Sequence, residues 1–131
     1  MKEPVWLTLS MLEAMHADLM REQGGTVGVR DEGMVESALA RAPQRWGYEP
    51  AVDLAALAAA YGFGLSRNHG YVDGNKRIAL MSIYVFLVLN GRELNAPETG
   101  AYDIMMGVAD GSVTEKQLAA WIRQHSARYR P

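Results

Sequence analysis

Hydrophobic positions recur along the chain at spacings of three and four, and this period predicts helices rather than strands. Met11, Leu12, Met15 and Leu19 set the period of a first helix over about 10–21, which Gly24 and Gly25 end. "GGTVGVRDEG", residues 24–33, has four glycines and isolated valines and predicts a loop or short irregular hairpin. A second helix is expected over about 31–41. Its leading acids suit the positive end of the helix dipole, and Pro43 should stop it. "QRWGYEP" then reads as a polar-aromatic connection. A third, alanine-rich helix runs from about Asp53 to just before His69. Gly62 and Gly64 inside it each cost about 1 kcal/mol relative to alanine, so they mark close packing against a neighbour.

The fourth segment, about 74–89, is apolar almost all round, which predicts the central helix of the bundle. Asn90-Gly91 ends it. "RELNAP" reads as extended, and Pro97 suits the first turn of a fifth helix reaching about Ala109. Thr114 and Gln117 form a capping-box pattern for a sixth, with Leu118, Trp121 and Ile122 on one face. The polar tail after Ser126 is expected to fray, and no convincing strand pair is visible. The reading is an all-α, single-domain bundle of about six helices.

Composition narrows the class. A chain of 131 residues makes one domain able to bury about 68% of its unfolded surface. With 49% hydrophobic and 21% charged residues it should be globular. Its net charge of −2 argues against a general binder of nucleic acids or anionic membranes. The absence of cysteine excludes disulfides, thiol catalysis and thiolate metal sites. No secretory signal is visible. The longest apolar run, residues 78–89, is shorter than the roughly 20 residues a membrane span needs. A cytoplasmic protein is expected.

One stretch does not fit a simple connector. "RNHGYVDGNKR", Arg67 to Arg77, is far more polar than the helices on either side. Lys76 and Arg77 fall in the first turn of the fourth helix, where free amides and the dipole are already positive. Cations there are unfavourable until an anion docks, and phosphate is the usual occupant. Gly74 would let such a ligand approach the backbone. Asp73 reads either as a plain N-cap or as a ligand for Mg²⁺ shared with phosphates. His69 can take a proton from an incoming hydroxyl. Arg67 and Asn68 add donors from the other side. Each residue alone has a blander reading: a structural loop histidine, a helix cap, a solvated pair of cations. Together they supply a base, a metal carboxylate and an anion cradle, the parts of a phosphoryl- or nucleotidyl-transfer site.

"HGYVDGNKR", His69 to Arg77, resembles the signature H-x-F-x-[D/E]-x-N-x-R of the Fic/Doc superfamily, and most of all its Doc (death-on-curing) branch. That branch also has lysine between the asparagine and the arginine. Tyr71 stands where phenylalanine is usual. "GGTVGVRDEGMVESALARA", "DLAALAAAYGFGLSRNHG" and "FLVLNGREL" resemble Doc segments in the same order, so the likeness covers about residues 7–122. It implies a Fic-fold bundle with the motif loop joining two central helices. It implies that His69 is the general base, that Asp73 orients Mg²⁺ and the target end of the site, and that Lys76 takes part in catalysis. Gly74, Asn75, Lys76 and Arg77 would hold the nucleotide phosphates with help from Arg67, and Tyr71 would anchor the loop. The glycine-rich 24–33 segment lies where the family carries a flap that helps dock the protein target.

Two reactions occur on that scaffold. AMP-transferring Fic proteins resemble one another in "GNGR" followed by a second arginine three residues on. Here Lys76 and Leu80 occupy those places. The resemblance to Doc implies instead a protein kinase that moves the γ-phosphoryl of ATP to a hydroxyl of elongation factor Tu and so halts translation. It also implies a Phd-like antitoxin whose disordered C-terminal segment folds on the toxin. Trp46, Tyr48, Trp121 and Tyr129 are candidates for lining its groove. The competing readings are an AMP transferase, a catalytically silent co-repressor acting with its antitoxin, and a helical domain whose loop has no ligand.

Overall fold

In a computed structural model the described residues are 1–130. The chain folds in the order α1 (Leu9–Gln23), α2 (Glu32–Tyr48), α3 (Leu54–Asn68), α4 (Asn75–Leu89), β1 (Arg92–Leu94), α5 (Glu98–Asp110), α6 (Glu115–His125) and β2 (Ser126–Arg128). Four helices begin on a short oxygen-bearing side chain that accepts from an otherwise unpaired amide. Thr8 caps α1, Asp31 caps α2 and Asp53 caps α3. Thr114 closes the expected capping box with Gln117 on α6.

The centre of the bundle is α3, not α4 as its all-apolar pattern predicted. Residues 55–62 of α3 are buried without a break, and α2, α4 and α6 all pack on it. Its alanines and glycines let those neighbours close in. A Cβ on Gly62 would lie 2.5 Å from Ile83 Cδ1 on α4. One on Gly64 would lie 2.7 Å from Arg41 Cδ and 3.3 Å from Ala38 Cα on α2. On α4, Ile78, Ile83, Phe86 and Leu87 face inward, and each contributes about 1.5–3 kcal/mol by leaving water. Val88 and Leu89 at its end are exposed.

Three further expectations are corrected. Helix α2 passes through Pro43 to Tyr48 instead of stopping before it. Proline removes one backbone donor, but contacts beyond it hold the final turns. Trp46 packs edge-on to Trp6 at 6.2 Å, and Arg45 reaches Glu115 on α6 at 3.1 Å. Nor does the tail, whose Pro131 lies outside the described residues, fray after Ser126. It pairs antiparallel with the "REL" segment, Leu94 opposite Ser126 and Arg92 opposite Arg128. Three-residue strands carry too little alternation to be read locally. Pro97 is the N-cap of α5 rather than a residue of its first turn.

The arrangement fixes one place in particular. α3 and α4 are consecutive and packed together, so residues 69–74 between them form a short loop with both ends rigidly held.

Candidate active site

The loop is shaped by its own residues first. His69 caps α3 in the left-handed conformation, φ 50°, the one non-glycine residue with positive φ among those described. Gly74 makes a second left-handed turn, φ 76°, into α4. Between them Tyr71 is buried, and Asn75 clasps its backbone from both sides. Asn75 Oδ1 accepts from Tyr71 N at 3.1 Å, and Nδ2 donates to Tyr71 O at 3.0 Å.

The segment between α1 and α2 then closes over the loop. Val29 and Tyr71 form an antiparallel bridge, and Val72 N donates to Gly28 O at 3.1 Å. The amides of Arg30 and Asp31 both donate to Gly70 O. The Arg30 side chain donates to His69 O at 2.7 Å, placing a cation at the C-terminal, negative end of α3. Gly70 has no room for more. An added Cβ would lie 2.5 Å from Val35 Cγ2 and 3.0 Å from Val35 N.

A cavity of about 430 Å³ opens at this loop, within the size range of small-molecule sites. His69, Asp73, Gly74, Asn75, Lys76 and Arg77 form its polar side, and Leu80, Tyr102, Met105 and Ala109 its apolar side. The start of α4 faces it without a side-chain cap. The amides of Asn75, Lys76 and Arg77 therefore have no partner within the helix, and their partial positive charge adds to the two cations. Lys76 is exposed. Arg77 Nη1 reaches Gln23 Oε1 at 3.2 Å, tying α4 to the end of α1.

Asp73 is not the cap of α4; Gly74 is. The Asp73 carboxylate accepts from Thr26 N at 3.2 Å and from Gly74 N at 2.8 Å. These two backbone donors, Thr26 first, hold its pKa below the ordinary 3.8, so it is ionised at neutral pH. Each oxygen keeps a further lone pair. Among the described residues no group of three or more histidine, aspartate or glutamate side chains could cage a metal. One carboxylate beside an anion cradle fits Mg²⁺, which keeps several waters and binds through one or two carboxylates and phosphate oxygens.

Of the nine residues singled out from the sequence, six line the cavity. Tyr71 is buried in the loop, Asn68 Nδ2 instead donates to Met34 O at 3.0 Å, and Arg67 does not line the cavity. Its Nη1 donates to Val108 O at 3.2 Å, and its guanidinium lies over the Phe63 ring at 5.8 Å. Asn75 lines the cavity, but its amide is engaged with Tyr71. Two residues were missed. Arg30 is one. The other is His16 on α1, 2% exposed, whose Nε2 lies 2.8 Å from Asp73 O and whose ring stacks on Tyr71 at 3.8 Å. A faint signal existed: His16 falls on the same helical face as Leu12, Leu19 and Met20. Beneath it, burial first and Glu13 second push the Tyr71 phenol up to about 12, and its hydroxyl is buried without a partner.

The Fic/DOC family model matches residues 6–87. The protein kinase Doc of Escherichia phage P1 is 33% identical over 114 residues, covering 86% of this chain and 89% of that protein. The toxin Doc of Mycolicibacterium smegmatis is 40% identical over 101 residues, covering 74% of this chain and 77% of its own.

Proposed function

The chain belongs to the Fic/DOC family, and from that premise we propose that it is a Doc-like toxin that phosphorylates a protein hydroxyl from ATP. The observation that carries the reading is the cavity itself: a histidine, a carboxylate and an uncapped helix N-terminus with two cations share one wall. The two relatives are named a protein kinase and a toxin, which supports both halves of the proposal. Elongation factor Tu is the proposed target and a Phd-like protein the proposed antitoxin. No described helix is long and apolar enough to cross a membrane, which is compatible with the proposed cytoplasmic site of action.

In the proposed mechanism the γ-phosphoryl lies over the first turn of α4. The amides of 75–77 with Lys76 and Arg77 stabilise charge on its oxygens. His69 accepts the proton of the incoming serine or threonine hydroxyl as its oxygen bonds to phosphorus and ADP departs. Asp73 would hold Mg²⁺, which when bound neutralises phosphate charge. The flap segment, 24–33, whose residues 24–31 precede α2, lies hydrogen-bonded along the loop with Val27 and Val29 exposed, and in this reading it helps seat the target chain. Leu80 bears on the alternative of AMP transfer. It lines the cavity, so the site lacks a second arginine at a position that faces the ligand.

Expression in a host cell tests the enzymatic reading against a silent co-repressor. Growth should arrest with the wild type. His69→Ala should relieve the arrest and cut transfer by about 10²–10⁴-fold. Unchanged arrest with that variant would refute catalysis as the cause.

A further inference from the structure

His16 is a buried titratable side chain that the mechanism above does not use. It comes from α1, yet it touches the motif loop twice. Its Nε2 lies 2.8 Å from the carbonyl oxygen of Asp73, and that oxygen can only accept. Nε2 therefore carries a proton and donates it. The bond holds the peptide between Asp73 and Gly74, where the chain turns left-handed into the uncapped start of α4. The ring meanwhile stacks on Tyr71, 3.8 Å between centroids and 14° from parallel. Met20, one turn further along α1, closes on the same turn: a Cβ on Gly74 would lie 2.3 Å from Met20 Cε and 3.6 Å from His16 Nε2.

A plain packing role explains the stacked ring but not the aimed donor, since an apolar ring would fill the space equally well. We propose that His16 is a positioning residue for phosphoryl transfer. Through the Asp73 carbonyl it sets where the Asp73 carboxylate and the first amides of α4 point. The inference rests on the kinase reading for its kinetic consequence, but the geometric part stands without it. Displacement of catalytic groups by about 1 Å can cost 10²-fold in rate. The loss should fall on kcat more than on the KM for ATP, because Lys76 and Arg77 still attract the nucleotide.

Two variants separate the donor from the ring. His16→Phe keeps a stacked ring and removes the donor. His16→Gln keeps a donor at about the same reach and removes the ring. Both are assayed well below their melting temperatures, so that the protein is folded throughout. Amide exchange of residues 69–77 should quicken in H16F and stay near wild type in H16Q. Transfer of γ-label from ATP should fall at least about tenfold in kcat for H16F and within about threefold for H16Q. Wild-type loop exchange in H16F would overturn the proposal, as would equal kcat for the two variants. If the wild type transfers no label at all, the kinase reading fails instead, and loop exchange alone decides the role of His16.

Discussion

Asn75 directs both ends of its amide at Tyr71, four positions earlier, and so joins the first residue of α4 to the middle of the loop. Removing it leaves one buried backbone donor and one acceptor without partners. Asn75→Ala should therefore cost about 1–3 kcal/mol in urea denaturation, with transfer activity falling as the loop loosens. The sequence marked Asn75 as part of a phosphate cradle and gave no hint of the clasp. The clasp depends on the left-handed turns at His69 and Gly74, and a turn of that kind at histidine has no signature in a single sequence. His69, Asp73, Lys76 and Arg77 were legible because their chemical types are unusual between two apolar helices. His16 and Arg30 were not, because they come from segments 39–57 residues away and act on backbone atoms.

Helices were legible element by element, and so was the Thr114–Gln117 box, since period and a capping box are local, whereas the caps of α4 and α5 were not. What failed depended on partners. Pro43 does not stop α2 because Trp46 and Arg45 hold contacts beyond it, and the β1–β2 pair joins segments that no local pattern connects. The central place of α3 follows from its small residues, which allow close approach, while hydropathy alone favoured α4. Gly70 shows how tightly elements meet at the site: its missing Cβ is where Val35 of α2 sits. Gly70→Ala forces α2 away from the loop, and Val35 N is backbone that cannot swing aside. The expected loss is about 1–3 kcal/mol, seen as a lower melting temperature with weakened protection of the Arg30 and Asp31 amides.

Across the whole molecule, Asp53 links the start of α3 to α6. It caps α3 through Ala56 N at 2.9 Å and pairs with Arg123 at 2.6 Å. The Arg123 hydrogen bond, the largest cause, holds its pKa below the ordinary 3.8; burial opposes it, and the Ala56 amide and the Arg123 charge add further lowering. A depressed carboxylate stabilises the fold fully above its unfolded value and loses that contribution as pH falls through the folded one. Asp53→Ala should cost about 1 kcal/mol at pH 7, mostly from the cap. The Arg123 pair is about half exposed and adds little. The gap between wild type and variant should narrow as pH drops below the ordinary carboxylate value, in urea melts taken at several pH values.

The central claim is that this cavity moves the terminal phosphoryl group of ATP to a protein hydroxyl. Purified elongation factor Tu is incubated with the protein, Mg²⁺ and ATP labelled at either the γ or the α phosphate. The account predicts that γ-label alone appears on the elongation factor, and that His69→Ala abolishes it. Transfer of α-label would make the protein an AMP transferase and contradict the account.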